Sequence, residues 1–431
     1  MTRRGAALLL LLFLILVFGS GTTSHLGFDV ASAGASTTTT VAAVSGEAAA
    51  PPQYVQVSSD VLPAVGGEVA PAARPAPPVP RGAAAILVNL DDGRVLYEMA
   101  ADERRSIAST TKIMTAILAI ELLPPDLVIK TTNRAAAAGE SEIWLEPGEE
   151  LTVEQMLYAL MVKSANDAAV ALAEAASGDL ETFVQAMNAK AEELGLTNTH
   201  FANPHGLEAK DHYSSARDLA VLSCYAMKNE LFRKLAATPT IKIPWQGREY
   251  DRVLENRNVL VGAVPFITGI KTGYTGKAGF CLVGSGARDG VSLVSVMLGE
   301  KDKGSVNDDT VALLEWGFGR YRQVDLIDEG LPVAEMDVPY HLGERLVVAT
   351  DRKLMRTLYD EDVVTKTVAI QEKLVLPVTQ GQALGKVTFA TADGVIGEVD
   401  LIAARAIEAP TLGVKLRYVW DRMIRWLGKV A

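Results

Sequence analysis

The stretch "FITGIKTGYTGKAGFCLVGSGARDGVSLVSVMLGE", residues 266–300, constrains the fold more than any other. Its apolar runs are broken by glycine-rich turns, the pattern of successive short strands. A second β-rich pair lies far upstream in "AAAILVNLDDGRVLYEMA", where Asp91-Asp92-Gly93 supplies a hairpin turn. Helical patterns occupy 109–122, 153–176, 181–194 and 215–229 between the two. Helices inserted between an early hairpin and late strands predict an α+β domain over 83–320, an antiparallel sheet packed with helices.

Beyond Tyr321 the texture changes to short alternating runs such as "KLVLPV", "LGKVTFA" and "VIGEVDLIA", punctuated by Gly-Gln, Asp-Gly and Pro. Over 321–410 this predicts a small all-β sandwich domain with no catalytic cluster. A helical period returns in "TLGVKLRYVWDRMIRWLGKVA", 411–431. There Leu412, Leu416, Val419, Trp420, Met423, Ile424, Trp426, Leu427 and Val430 share one face. Lys415, Arg417, Asp421, Arg422, Arg425 and Lys429 take the other. Two tryptophans opposite a cationic face predict an amphipathic helix lying on an anionic membrane surface, with core packing as the alternative.

Arg3-Arg4 followed by an apolar run from Ala6 to Phe18 has the form of a signal peptide, placed at 1–30. The run is too short for a comfortable span, so export is expected, with an uncleaved anchor as the alternative reading. From 31 to 82 the chain is Ala, Ser, Thr, Pro and Gly with scattered valines, a composition that reads as a disordered tether. Extracytoplasmic residence on the outer face of the cytoplasmic membrane is the expected localisation.

A formal net charge of −11 argues against a general nucleic-acid binder, because phosphate binding wants a basic footprint. Cys224 and Cys281, the only cysteines, are too few for a disulfide scaffold and read as unpaired buried thiols. The five histidines form neither H-E-x-x-H nor a Cys/His cluster, so no metal is expected, and the function read below calls for no organic cofactor.

Three short motifs remain. Ser109 and Lys112 in "IASTTKIMTA" stand three residues apart, which puts them on one helical face and lets the amine reach the hydroxyl. Ser164-Ala165-Asn166 interrupts the apolar pattern of "LMVKSANDAAVALAE", and Lys271-Thr272-Gly273 opens a predicted strand. Each alone reads as a cap, a loop or a solvated charge; in this order and spacing they form one set. Ser305-Val306-Asn307 also fits S-x-N but follows the K-T-G strand and reads as a chance match. His205 in "NPHGL" and His212 in "DHYSSARD" read as structural loop histidines, since no G-x-S-x-G elbow accompanies them. Arg217 and Asp218 read as a local ion pair, and Cys281 as core.

With these motifs, and with "WLEPGEELTVEQMLYALMVKSANDAA" and "GIKTGYTGKAGFCLVGSG" around them, the chain resembles the penicillin-recognising serine enzymes. Among those it is most similar to the D-alanyl-D-alanine carboxypeptidases, the low-molecular-mass penicillin-binding proteins. That resemblance implies a β-lactamase/transpeptidase-like catalytic domain, peptidoglycan pentapeptide as substrate, and β-lactam antibiotics as ligands. It implies that Ser109 forms the acyl-ester, Lys112 is the general base and Ser164 relays a proton. Asn166 would hold the substrate amide, and Lys271 and Thr272 its terminal carboxylate. Gly273 would let substrate lie along the strand, and the backbone N–H groups of Ser109 and Tyr274 would form the oxyanion hole. For Lys112 to act as a base its pKa must fall, with burial and the nearby Lys271 cation as the expected causes. The alternatives are a β-lactamase, which would turn its acyl-enzyme over rapidly, and a non-catalytic cell-wall scaffold, which would need no activated nucleophile.

Overall fold

The computed structural model describes residues 54–61 and 75–430. Strand β1 (Tyr54–Val61) comes first. The hairpin β2 (Ala84–Asn89) and β3 (Val95–Met99) turns where the Asp-Asp-Gly signal lies. A single 3₁₀ turn, Ala108–Thr111, leads into helix α1 (Lys112–Leu122). The small ribbon β4 (Val128–Lys130) and β5 (Glu150–Thr152) brackets the short helix α2 (Asn133–Ala136). Helix α3 (Val153–Tyr158) starts on a capping box from Thr152 and Gln155, then runs into a π-turn, Ala159–Lys163. Ser164 breaks the helix in a left-handed conformation, φ +64°, before α4 (Asn166–Ser177), α5 (Leu180–Glu193), α6 (Ala216–Ala226) and α7 (Glu230–Ala236).

A second ribbon, β6 (Thr240–Ile243) with β7 (Arg252–Glu255), precedes the three long strands. These are β8 (Ile267–Thr275), β9 (Gly279–Arg288) and β10 (Val291–Glu300), and they complete an antiparallel sheet of order β3-β2-β10-β9-β8. All six residues of β2 are buried. Ala84, Ile86 and Val88 face the core under α1, α4 and α6. Ala85 and Leu87 face Leu313, Leu314 and Phe318 of α8 (Lys303–Phe318). The sheet is therefore covered on both faces, which is why its central strands read as unbroken apolar runs rather than alternating ones.

Residues 321–403 form β11 (Tyr321–Ile327), β12 (Pro332–Asp337), β13 (Arg345–Thr350), β14 (Leu354–Tyr359), β15 (Thr365–Gln371), β16 (Ala383–Thr391) and β17 (Gly394–Ala403). The larger sheet has the order β1-β15-β16-β17-β13-β12, and β11 pairs with β14 across a core that includes Leu346, Val387, Phe389, Val399 and Leu401. Arg94 ties the two domains by ion pairs to Asp362 at 2.8 Å and Asp393 at 2.7 Å. Helix α9 (Leu412–Val430) closes the described chain, and Leu412, Leu416, Val419, Trp420, Met423, Ile424, Trp426 and Leu427 on it are 43–69% exposed.

The tether expected over 31–82 needs correction. Residues 54–61 are an edge strand paired antiparallel with β15, Tyr54 opposite Gln371 and Val61 opposite Thr365. Its main-chain pairing with a distant strand leaves little trace in composition, which is what the disorder reading relied on. From residue 75 the chain is also docked: Pro75 O accepts from Trp316 Nε1 at 2.9 Å, and Arg81 grips Asp309 of α8 at 2.7 Å. The rest of that segment and the signal-peptide region lie outside the described residues. Helix α8 itself was not anticipated, because its apolar residues sit among small and acidic ones. Asp302 caps it, accepting from the Ser305 N–H at 2.8 Å.

Candidate active site

The S-x-x-K serine lies on the 3₁₀ turn and its lysine on the first residue of α1, so both project towards the sheet edge formed by β8. Lys112 is completely buried. Its Nζ lies 3.0 Å from Ser109 Oγ, 2.7 Å from Asn166 Oδ1 and 2.6 Å from the His205 carbonyl oxygen. Two of these partners are oxygens without a proton, so they must accept. The third is a hydroxyl, which can donate. A neutral amine has two N–H bonds and one lone pair, and it satisfies all three contacts at once when the lone pair faces the Ser109 hydroxyl. Burial, followed by the Lys271 charge, pushes the Lys112 pKa well below its ordinary value, while Asp167 opposes the shift.

The helix interruption is held from outside. Asn166 N donates to Ser141 O at 2.6 Å and its Nδ2 to Gly139 O at 2.9 Å. Buried Asp167 accepts from the N–H groups of Ile143 and Leu145, at 3.1 and 3.0 Å. These bonds fasten the 139–145 loop beneath the break and set the Ser164 side chain at the cleft. A π-turn ending in a left-handed serine is the kind of local irregularity that functional sites retain. Asn166, expected to hold substrate, directs its carboxamide oxygen to Lys112 instead.

Lys271 lies in the middle of β8, not at its start, and is 1% exposed with one bond, to Thr272 O at 3.1 Å. Burial and then the Arg257 charge bring its pKa down to about 7. Gly273 answers to close approach: a Cβ there would lie 3.0 Å from Ser109 N and 3.0 Å from Ile107 O. Tyr274 is exposed at the lip and stacks on Phe280 at 4.4 Å.

Ser109, Ser164, Thr272, Gly273 and Tyr274 thus line one cleft of about 310 Å³; Lys112 and Asn166 lie behind Ser109, bonded to each other, and Lys271 is buried next to Thr272 on β8. The sequence reading missed Arg257, an exposed guanidinium on the cleft wall, and Lys303 and Asn307 at the start of α8. No local motif marks Arg257, which reaches the cleft because Arg257 N bonds to Val162 O in the π-turn. Ser305 donates its hydroxyl to Asp302, the cap of α8, and takes no place in the cleft, whereas Val306 and Asn307 do. Arg217 pairs with Asp102 and Glu98, and Asp218 instead accepts from Asn198 N and Thr199 Oγ1, so the expected Arg217–Asp218 pair does not form. Cys281 is buried and Cys224 half-buried, both unpaired, and burial raises each thiol to about 11. Among the described residues no group of three or more His, Cys, Asp or Glu is placed to hold a metal.

A two-sided helix-covered sheet whose edge strand faces a Ser–Lys pair is the arrangement of the penicillin-recognising serine enzymes. Residues 72–302 match the D-alanyl-D-alanine carboxypeptidase family, and residues 321–409 match the C-terminal domain of penicillin-binding protein 5. The D-alanyl-D-alanine carboxypeptidase DacF of Bacillus subtilis is 35% identical over 74% of this chain and 84% of its own. DacA of Escherichia coli is 30% identical over 80% of this chain and 88% of its own. The crystal structure of DacD from Francisella tularensis superposes with a TM-score of 0.55 at 27% identity, covering 78% of this chain and 96% of that one. The chain belongs to the D-alanyl-D-alanine carboxypeptidase family.

Proposed function

We propose that Ser109 is the nucleophile and Lys112 its general base in the family's reaction, the removal of the terminal D-alanine from peptidoglycan stem peptides. The three-way contact of the Lys112 amine carries this reading, since it satisfies every partner in the neutral form and aims its lone pair at the Ser109 hydroxyl. Ser109 Oγ attacks the carbonyl carbon of the penultimate D-alanine as its proton passes to Lys112. The Ser109 and Tyr274 N–H groups receive the oxyanion. Collapse breaks the C–N bond, and Ser164 passes a proton to the departing D-alanine amine. Water then hydrolyses the ester and restores the Ser109 hydroxyl. Lys271 and Thr272 take the terminal carboxylate, with the Arg257 charge beside them. A β-lactam acylates the same oxygen and stalls there.

The test is to treat the full chain with benzylpenicillin, locate the adduct by peptide mass mapping, and assay D-alanine release from a diacyl-Lys-D-Ala-D-Ala peptide. An adduct on Ser109 together with release supports the assignment. An adduct without release supports the scaffold reading, and rapid loss of the adduct with nitrocefin turnover supports a β-lactamase.

The carboxylate site has a pH signature. Lys271 is a cation only below its value of about 7 in the free enzyme, so attraction for the substrate carboxylate is lost as pH rises through that value. The expected result is a falling limb of kcat/KM from about pH 7 with a flatter kcat, because bound carboxylate holds the proton on. In Lys271→Met that limb should vanish along with most of kcat/KM.

We also infer residence at an anionic membrane surface outside the cytoplasm. No described helix is long and apolar enough to cross a membrane. Support comes from the exposed Leu416, Trp420, Ile424 and Leu427 of α9 and from the apolar run after Arg3-Arg4. Deleting 411–431 should abolish co-sedimentation with phosphatidylglycerol vesicles when residues 1–30 are also removed. Retained binding would refute the role of α9.

A further inference from the structure

The turn that presents Ser109 carries strain that the mechanism above does not explain. Ala108, immediately before the nucleophile, has φ +49°, a conformation unfavourable for a residue with a Cβ. Its carbonyl oxygen accepts from Thr111 Oγ1 at 2.8 Å, and Thr111 Oγ1 lies 2.8 Å from His212 Nε2. His212 Nδ1 in turn accepts from the Ala202 N–H at 3.0 Å. His212 and Thr111 are both buried, His212 beside the Phe201 ring.

The direction of this chain is fixed by its far end. An N–H can only donate, so Nδ1 is the unprotonated nitrogen and the proton sits on Nε2. Nε2–H then donates to Thr111 Oγ1, which leaves the threonine proton for the Ala108 carbonyl. Desolvation lowers the His212 pKa to about 4, so the ring is neutral at physiological pH and this polarity holds. The Ala108–Ser109 peptide is planar and trans, so its C=O and N–H point in opposite directions. Anchoring the oxygen on the buried side turns the Ser109 N–H towards the cleft, where it faces Gly273.

We propose that His212 is a positioning residue of the oxyanion hole, acting through Thr111 to fix the orientation of the Ala108–Ser109 peptide. The inference rests on the assignment of Ser109 as nucleophile with its N–H as an oxyanion donor. His212 touches no substrate; it determines which way one hydrogen-bond donor points. The same peptide plane flipped, or rocked by the loss of its anchor, would leave the donor misaligned while the carboxylate site stays intact. The effect therefore belongs to the tetrahedral state and not to ground-state binding.

The experiment uses the full chain carrying His212→Ala, His212→Gln, Thr111→Val, and the double variant Thr111→Val/His212→Ala. Three quantities are read: the acylation rate constant with benzylpenicillin, its non-covalent dissociation constant, and the inhibition constant of a peptidyl boronic acid, whose tetrahedral adduct occupies the oxyanion site. For His212→Ala, acylation is expected to fall about 10- to 100-fold, less than the loss of a whole donor. Boronate affinity should weaken by a similar factor, with the non-covalent constant unchanged. His212→Gln, which returns an N–H to Thr111, should recover much of the loss. Thr111→Val should match His212→Ala, and the double variant should be no worse than either. An acyl adduct on Ser109 with acylation and boronate affinity unaltered in His212→Ala overturns the positioning role alone. So does a lowered melting temperature with unaltered boronate affinity in His212→Gln. An adduct mapped to another residue overturns the nucleophile assignment and this proposal with it.

Discussion

Lys112→Ala is expected to slow acylation by benzylpenicillin about 10³- to 10⁴-fold at neutral pH, the upper range for loss of a general base. The size follows from burial. Among the described residues no other basic side chain is hydrogen-bonded to Ser109 Oγ: Asn166 and His205 present only weakly basic amide and carbonyl oxygens to this spot, and the His212 imidazole is turned to Thr111. Removing the amine also leaves Asn166 Oδ1 and His205 O without their donor, so some structural loss accompanies the chemical one. Lys112→Arg separates the two. A guanidinium still donates to both oxygens but is not deprotonated in a protein, so it has no lone pair to offer. Stopped-flow acylation that stays low in the arginine variant while its melting temperature recovers would assign the loss to proton transfer. A rate restored by arginine would show that only charge or packing matters.

Gly206→Ala is the second large effect, and it acts on stability as well as rate. Gly206 follows His205 in the loop that roofs the Ser109 turn, with φ +90°. A Cβ added there would sit 2.0 Å from Ala108 O, 2.4 Å from Ala108 C and 2.9 Å from Thr111 Oγ1. These are backbone atoms and a hydrogen-bonded hydroxyl, none of which can swing aside. The variant is expected to lose about 3 kcal/mol or more of stability and most of its acylation rate. Gly93→Ala provides the comparison. Its φ is +74°, but nothing lies within 4 Å of the added carbon, so it should show only the left-handed backbone cost of about 1 kcal/mol. Thermal melts of the pair distinguish collision from conformation; equal losses would contradict the close approach at Gly206.

The parts of the site legible in the sequence were those whose geometry is local. Ser109 and Lys112 meet because three residues on a helical turn share a face. Ser164 was marked by a polar triplet in an apolar helix, and the K-T-G residues by their place in a β-rich run. Arg257, Gly206 and the Thr111–His212 contact were not legible, because each depends on which loop the fold brings against which. Thr111 and His212 are 101 residues apart in sequence. The helical and strand periods likewise recovered both domains, while α8 and β1 escaped. Helix α8 mixes small and acidic residues into its apolar stripe, and β1 is a strand only because β15 offers it an edge. His205 and His212 were read as structural, and neither contacts Ser109 Oγ in the folded protein. The sequence did not hint that the His205 carbonyl would ligate Lys112.

The pairing of β1 with β15 makes the chain return on itself. A segment synthesised before the catalytic domain finds its partner in the domain synthesised after it. During synthesis the early strand emerges long before the strand that receives it, so this pairing forms only once β15 is available. The catalytic domain is thereby bracketed in sequence between two pieces of one sheet, β1 before it and β12 to β17 after it. A protease cut between Val61 and Pro75 would leave β1 joined to the rest of the chain through its pairing with β15. If it then dissociated, β15 would become a bare edge open to a strand from another molecule.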